Sequence, residues 1–217
     1  FIAELLQTGL SPWIEDPASL SSALDLCTGS GCLAILMADA FELADIDAVD
    51  ISPQALEVAN RNVQDYGLRH RIQVVASDLY SALLGKQYDL IVSNPPFFSE
   101  TTVSPDTDRR MGRHTASLSP ETLLAAVGAL LTVEGRFCAV LPVREGRRLC
   151  ELAVPQGLYC TETVEVFTRP GKPAERLLLR FERDPYRLIR RELVLYAPDG
   201  TYSADYRRLT GDFYLAF

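Results

Sequence analysis

Histidine is nearly absent: His70 and His114 are the two in 217 residues, and neither stands in a pattern that would build a nucleophilic triad or a metal site. No resident metal is expected. Cysteine is sparse and odd in number. Cys27, Cys32, Cys138, Cys150 and Cys160 show no paired ligand spacing, which argues against zinc and against a disulfide framework. They read as reduced, mostly buried thiols of a cytoplasmic protein. Long apolar runs are missing too. None approaches the ~18 residues that a membrane-spanning helix needs, and no secretory signal pattern or internal repeat is visible. The chain opens on Phe1 rather than Met, so further sequence is expected upstream.

Basic residues are scarce in one part of the chain only. Residues 1–96 hold four (Arg61, Arg69, Arg71 and Lys86) against thirteen acidic side chains, whereas residues 97–217 hold seventeen against sixteen. The first part should repel nucleic acid. The second can offer it a local basic face, or simply a mixed, solvated surface. With 47% apolar residues over this length, the chain can build one large domain around a single core, and a monomer is expected.

What is present is an alternation of short apolar runs with helical patterns. Residues 1–9 space their apolar side chains as a helix that stops at Gly9, and residues 11–22, with Pro12 and Pro17, read as a linker. Strands are predicted at 23–27, 46–50, 72–76, 88–93, 136–141, 159–167 and 176–181. Helices are predicted at 32–40, 53–66, 120–131 and 144–153, with Ser52-Pro53 and Ser119-Pro120 as cap and first-turn proline. Such alternation specifies an α/β fold with a mainly parallel sheet. The Pro/Gly-rich connection 168–174 is too short for a crossover helix, so the last two strands should pair antiparallel. The tail adds a strand-like run at 192–196, an Asp199-Gly200 turn and a short helix near 202–209.

Asn94-Pro95-Pro96-Phe97 ends the fourth strand. The two prolines fix φ and make a rigid turn. Such a turn can simply stop a strand. It can also grip a planar –NH2 group: the Asn94 amide oxygen and the Pro95 carbonyl each accept one hydrogen, and Phe97 supplies a flat surface. Two acceptors that draw a delocalised nitrogen toward tetrahedral geometry act mainly in the transition state.

Gly29-Ser30-Gly31-Cys32-Leu33-Ala34 fits G-x-G-x-x-A between a strand and a helix, and Asp50 ends the second strand twenty-one residues after Gly29. This is the spacing of an adenosine-containing cofactor whose ribose hydroxyls meet the acid. A dinucleotide would bring a pyrophosphate beside Asp25, which repels it. S-adenosylmethionine carries an ammonium and a sulfonium, which Asp25 favours. Asp78, after the third strand, either accepts from the adenine amine or caps the next short helix. A dinucleotide-binding oxidoreductase and a silent cofactor-binding module are the readings from other classes.

Asp25 to Gly31, Asp50 and Asn94 to Phe97 resemble the successive motifs of class I S-adenosylmethionine-dependent methyltransferases that modify planar nitrogens. The resemblance implies a Rossmann-like seven-stranded sheet in the order 3-2-1-4-5-7-6 with strand 7 antiparallel. It implies cofactor contacts at Cys27, Thr28, Gly29, Ser30, Gly31, Asp50 and Asn94. The expected division is an N-terminal helix and linker (1–22), a methyltransferase catalytic domain (23–185) and a C-terminal extension packed on it (186–217).

The subfamily signal is split. Residues 1 to about 96, including FIAELL, DLCTGSG and DAVDIS, resemble the glutamine-N5 methyltransferases of a ribosomal protein and of release factors. From Asn94 onward the chain resembles the tRNA (valine) adenine-N6 methyltransferases, on Glu134-Gly135-Arg136-Phe137, Leu141-Pro142, Tyr202-Ser203, Tyr206 and Phe213-Tyr214-Leu215. Those families usually carry Tyr where Phe97 stands, and a related guanine-N2 rRNA group uses Phe. A join near residue 94 is one reading of the split, and it fits the charge step. The loop 99–117 holds Arg109, Arg113 and His114, which read either as a basic lid for tRNA phosphate or as an ordinary soluble loop. The glutamine enzymes usually carry an upstream helical domain that this sequence does not include. Adenine-N6 of a tRNA is therefore the favoured acceptor, and a ribosomal protein or release factor the alternative partner.

Overall fold

The computed structural model describes residues 16–96 and 118–210. The helix expected at 1–9, Phe97, Arg109, Arg113 and His114 in the 99–117 loop, and the 213–215 run lie outside these residues.

Each predicted apolar run forms a strand: β1 (Ser22–Leu26), β2 (Asp45–Asp50), β3 (Ile72–Ala76), β4 (Tyr88–Ser93), β5 (Leu131–Pro142), β6 (Tyr159–Phe167) and β7 (Ala174–Glu182). Among the described residues they join an eighth, β8 (Ile189–Val194), in one sheet of order β3-β2-β1-β4-β5-β7-β6-β8. The expected order of seven holds within it. β7 runs against both β5 and β6, and every other pairing is parallel.

Helices cover both faces because the strand side chains alternate between two apolar layers. Ala23, Ile46, Ala48, Leu90, Val92, Cys138 and Leu178 share one layer with Ala34 and Met37 of α1 (Cys32–Ala40) and Val63 of α2 (Pro53–Asp65). Leu24, Leu26, Ile91, Leu177 and Phe181 share the other with Leu124 and Val127 of α3 (Pro120–Leu130) and Leu149 of α4 (Val143–Ala153). Phe137 and Phe181, opposite each other in the β5–β7 register, stack at 5.6 Å. Ser52 and Ser119 cap α2 and α3 as their positions predict, accepting from the amides of Ala55 and Thr122 at 3.3 and 3.1 Å.

Two expectations need correction. β5 begins at Leu131 rather than at 136, because its register with β4 jumps from Tyr88↔Leu131 to Leu90↔Arg136 and residues 132–135 bulge out. The bulge needs Gly135, where a Cβ would lie 2.8 Å from Leu131 Cδ1 and Thr132 Oγ1. The seven-stranded sheet also gains β8, which starts at Ile189 rather than at 192 and runs parallel to β6. An ion pair draws it in: Arg191 Nε meets Oε1 of the buried Glu162 at 2.6 Å. Its exposed Arg190, Arg191 and Glu192 leave a charged sheet edge that resists pairing with another chain. Beyond it, Ser203 caps α5 (Ala204–Thr210) by accepting from the Tyr206 amide at 3.0 Å, and Tyr206 is buried in the core.

Candidate active site

Strand order reverses between β1 and β4, and the carboxyl ends of parallel strands on either side of such a reversal form the natural ligand crevice. The register sets the two ends level, Leu26 opposite both Ser93 and Val49. Cys27 and Asn94 thus follow β1 and β4 and Asp50 ends β2, three adjacent strands at one edge, with Ser77 and Asp78 following β3 beside them.

The turn from β1 into α1 is built by backbone conformations that a side chain disfavours. Gly29 and Gly31 have φ of 56° and 80°, and Cys27 takes φ 67° despite its Cβ. Such strain on a non-glycine residue persists only where the surroundings hold it. Here the Thr28 amide donates to Val49 O at 2.8 Å, Gly31 N to Thr28 O at 3.0 Å, and Asn62 Nδ2 of α2 to Ser30 O at 2.8 Å. Gly31 also permits close helix packing, since a Cβ there would stand 3.2 Å from the Ala59 Cβ. Burial, with Asp50 and Asp25 nearby, pushes the Cys27 thiol up to about 12, so it is no nucleophile.

Asp50 is locked to the turn. Its Oδ2 accepts from the Gly29 amide and its Oδ1 from the Ser52 amide, both at 2.9 Å. Each carboxylate oxygen keeps a further lone pair for a hydroxyl. Asp25 is fully buried at the end of β1. Its Oδ2 accepts from the Thr28 hydroxyl and, at 3.1 Å, from the Ala34 amide, while Oδ1 has no partner. Burial pushes its carboxyl up to about 7, with Asp50 adding to the rise and the two hydrogen bonds opposing it. An orphaned buried carboxylate oxygen is costly until something cationic or hydrogen-donating meets it. That fits the ammonium and sulfonium of S-adenosylmethionine and not a pyrophosphate.

Across the crevice, Ser93 Oγ donates to Leu26 O at 2.6 Å and ties the end of β4 to the end of β1. Asn94 follows, exposed, with Pro95 buried beneath it and Pro96 exposed. Pro95 and Pro96 line a shallow groove with Leu118, Pro120 and Leu141. The helix-capping alternative for Asp78 finds no support. Ser77 Oγ, not Asp78, accepts from the Ala82 amide at 3.1 Å, and the exposed Asp78 side chain makes no hydrogen bond to another described residue.

Of the expected site residues, Asp25, Cys27, Thr28, Gly29, Ser30, Gly31, Asp50, Asp78, Asn94, Pro95 and Pro96 come together at one edge. Phe97, Arg109, Arg113 and His114 lie outside the described residues. Sequence reading missed Ser52, Asn62 and Ser93 as braces of the site. Ser52 and Ser93 adjoin predicted strand ends, where polar residues face the crevice. Asn62 carries no local signal, because it acts from the last turn of α2 across thirty-two residues. Among the described residues no group of His, Cys, Asp and Glu could hold a metal ion, and no helix is long and apolar enough to cross a membrane.

The family model of the methyltransferase small domain matches residues 10–144, crossing residue 94 without a break. The tRNA1(Val) (adenine(37)-N6)-methyltransferase of Yersinia pseudotuberculosis is 36% identical over 197 residues, 89% of this chain and 78% of that protein. The enzyme of the same name from Tolumonas auensis is 36% identical over 193 residues, covering 88% and 81%. Among solved structures, a protein described as a predicted O-methyltransferase of Agrobacterium tumefaciens superposes with a TM-score of 0.70 over 96% of this chain and 95% of its own, at 17% identity. That likeness speaks for the fold alone. One family therefore spans both the acidic and the basic part of the sequence, and this chain belongs to it: the methyltransferase small domain family of S-adenosylmethionine-dependent methyltransferases.

Proposed function

We propose that this methyltransferase acts in the cytoplasm on N6 of an adenine in tRNA. The observation that carries this reading is the rigid Asn94-Pro95-Pro96 turn at the end of β4, on the strand next to the one that holds the orphaned oxygen of Asp25. One element can hold a planar amine and the other a cationic cofactor. The names of the 36%-identical relatives, with which the chain aligns over nearly nine tenths of its length, support adenine in tRNA as the acceptor.

S-adenosylmethionine supplies an activated methyl group whose leaving group is a neutral thioether, so the protein need provide no acid for it. Asp50, held by Gly29 and Ser52, takes the ribose hydroxyls. Asp25 meets the positive end of the cofactor, and Asp78 accepts from its adenine amine. Gly29 leaves the backbone open for close approach, with nothing within 4 Å of the position its Cβ would take. On the acceptor side, the Asn94 oxygen and the Pro95 carbonyl each accept one N6 hydrogen, and Phe97 supports the base plane. These bonds strengthen as the nitrogen lone pair localises, so their contribution falls mainly on the transition state. The proton lost from nitrogen passes to water.

Incubating the protein with methyl-labelled S-adenosylmethionine and, separately, unmodified total tRNA, ribosomal protein and release factor tests this reading. Label in tRNA is expected. Label in the protein fraction with none in tRNA would transfer the assignment to glutamine-N5 chemistry.

A further inference from the structure

The cations of residues 118–210 fall into two sets. Most are engaged: Arg136, Arg147, Arg148, Arg180, Arg191 and Arg208 pair with carboxylates, Arg183 grips the carbonyls of Gly128 and Leu131, and Arg207 that of Tyr202. Arg144, Arg169, Lys172, Arg176, Arg187 and Arg190 are exposed and have neither an ion pair nor a side-chain hydrogen bond to another described residue. Their placement is uneven. Arg187 and Arg190 lie where β7 ends and β8 begins, at the sheet edge opposite the crevice. The other four lie at the crevice edge.

The topology puts them there. β7 runs antiparallel, so the β6–β7 turn at 168–173, with Arg169 and Lys172, emerges at the edge where β4 ends. Pairing of Ser93 with Ala139 and of Pro142 with Arg176 sets Arg176 two strands from Asn94 and two residues further out. Strand spacing and rise make that about 12 Å between backbones. The hairpin is braced, since Leu195 N donates to Phe167 O at 2.8 Å and Tyr196 N to Thr168 O at 3.0 Å. Arg144 stands in the first turn of α4, just after β5, where the helix macrodipole disfavours a cation. The nearby acids are Glu145, next to Arg144 in the first turn of α4, and Glu175, the extra residue where the β6–β7 register shifts, so the four cations outnumber them by two. On the other flank of the crevice the exposed side chain is an acid, Asp78.

We propose that Arg169, Lys172 and Arg176 of the β6–β7 hairpin, with Arg144 at the end of the neighbouring β5, form the docking surface for the tRNA backbone. Phosphates next to the target nucleotide rest on these four cations, and the base enters from the β5–β7 side toward Asn94. The inference rests on tRNA being the substrate. It fixes the direction of approach, away from the acidic β2–β3 flank, and makes binding depend on counterion release.

The test is tRNA methylation by R169A/K172A/R176A as a function of salt, with R187A/R190A, a loss of two charges at the opposite edge, as the control. The hairpin variant should raise the KM for tRNA about tenfold or more near 0.1 M salt, with kcat at saturating tRNA and S-adenosylmethionine affinity unchanged. Its log–log salt slope should become shallower by about two, the value for three contacts to single-stranded nucleic acid. The R169K/R176K variant should keep most of the wild-type KM, and R187A/R190A all of it. A hairpin variant with wild-type KM and slope, measured on a wild-type protein that does label tRNA, overturns the docking surface alone. A wild-type protein that labels only protein overturns the substrate reading and this surface with it.

Discussion

The Gly29 amide donates to Oδ2 of Asp50 at 2.9 Å, so the turn after β1 and the acid that ends β2 form one unit across twenty-one residues. Ser52 holds the other oxygen. The carboxylate is therefore oriented before any ligand arrives. Replacing Asp50 with Ala should weaken S-adenosylmethionine binding by about 1–3 kcal/mol, the range for losing a charged acceptor. It should also lower the melting temperature, because two amides lose their partner. Calorimetry and thermal unfolding on the same variant read the two effects, and unchanged cofactor affinity would remove Asp50 from the ribose site.

The two glycines of the turn should separate binding from stability. Both have positive φ, which costs an alanine about 1–2 kcal/mol. Gly31→Ala adds a Cβ 3.2 Å from that of Ala59, so its main effect should be a lower melting temperature. Gly29→Ala meets no protein atom within 4 Å, and its larger effect should be on cofactor affinity. Equal losses of affinity in both variants would mean that Gly29 does not face the cofactor.

Asp25 gives a pH dependence with a definite sign. Its folded pKa of about 7 lies above its ordinary 3.8. Between those values the folded state holds a proton that the unfolded state has released. Asp25 therefore makes the free protein less stable as pH rises from about 4 to about 7, with no further change above. The cationic cofactor favours the ionised form, so affinity should rise with pH to a plateau just above 7, with proton release on binding below it. Asp25→Asn should flatten that profile. A wild-type affinity independent of pH between 5 and 8 would sink the pairing of Asp25 with the cofactor's positive charge.

Much of this was legible in the chain. Leu90, Ile91 and Val92 form a run apolar on both faces, which is what a central parallel strand needs, so β4 and the Asn94 turn behind it could be placed from sequence. The Gly29-to-Asp50 spacing is equally local to one strand–helix–strand unit. Other features depended on distant partners. The bulge at 132–135 reflects the register that β4 imposes, and β8 starts early because Arg191 meets Glu162 of the adjacent β6. The hairpin cations looked like ordinary surface charge. Only the antiparallel course of β7, itself predicted from the short 168–174 connection, sets Arg169, Lys172 and Arg176 at the crevice edge.

Asn94→Ala should leave cofactor affinity nearly intact while lowering kcat by about 10²–10³-fold, the range for loss of one pre-positioned hydrogen-bonding group at a reacting centre. Isothermal titration and single-turnover methylation separate the two. A variant that no longer binds S-adenosylmethionine would make Asn94 a cofactor-holding or structural residue instead.

The central claim is tested most directly by digesting tRNA methylated by the wild-type protein to nucleosides and identifying the labelled one by mass spectrometry. The label is expected in N6-methyladenosine, and nearly absent from a parallel reaction with Asn94→Ala. Label in any other nucleoside, or N6-methyladenosine formed equally well by the variant, would contradict the account.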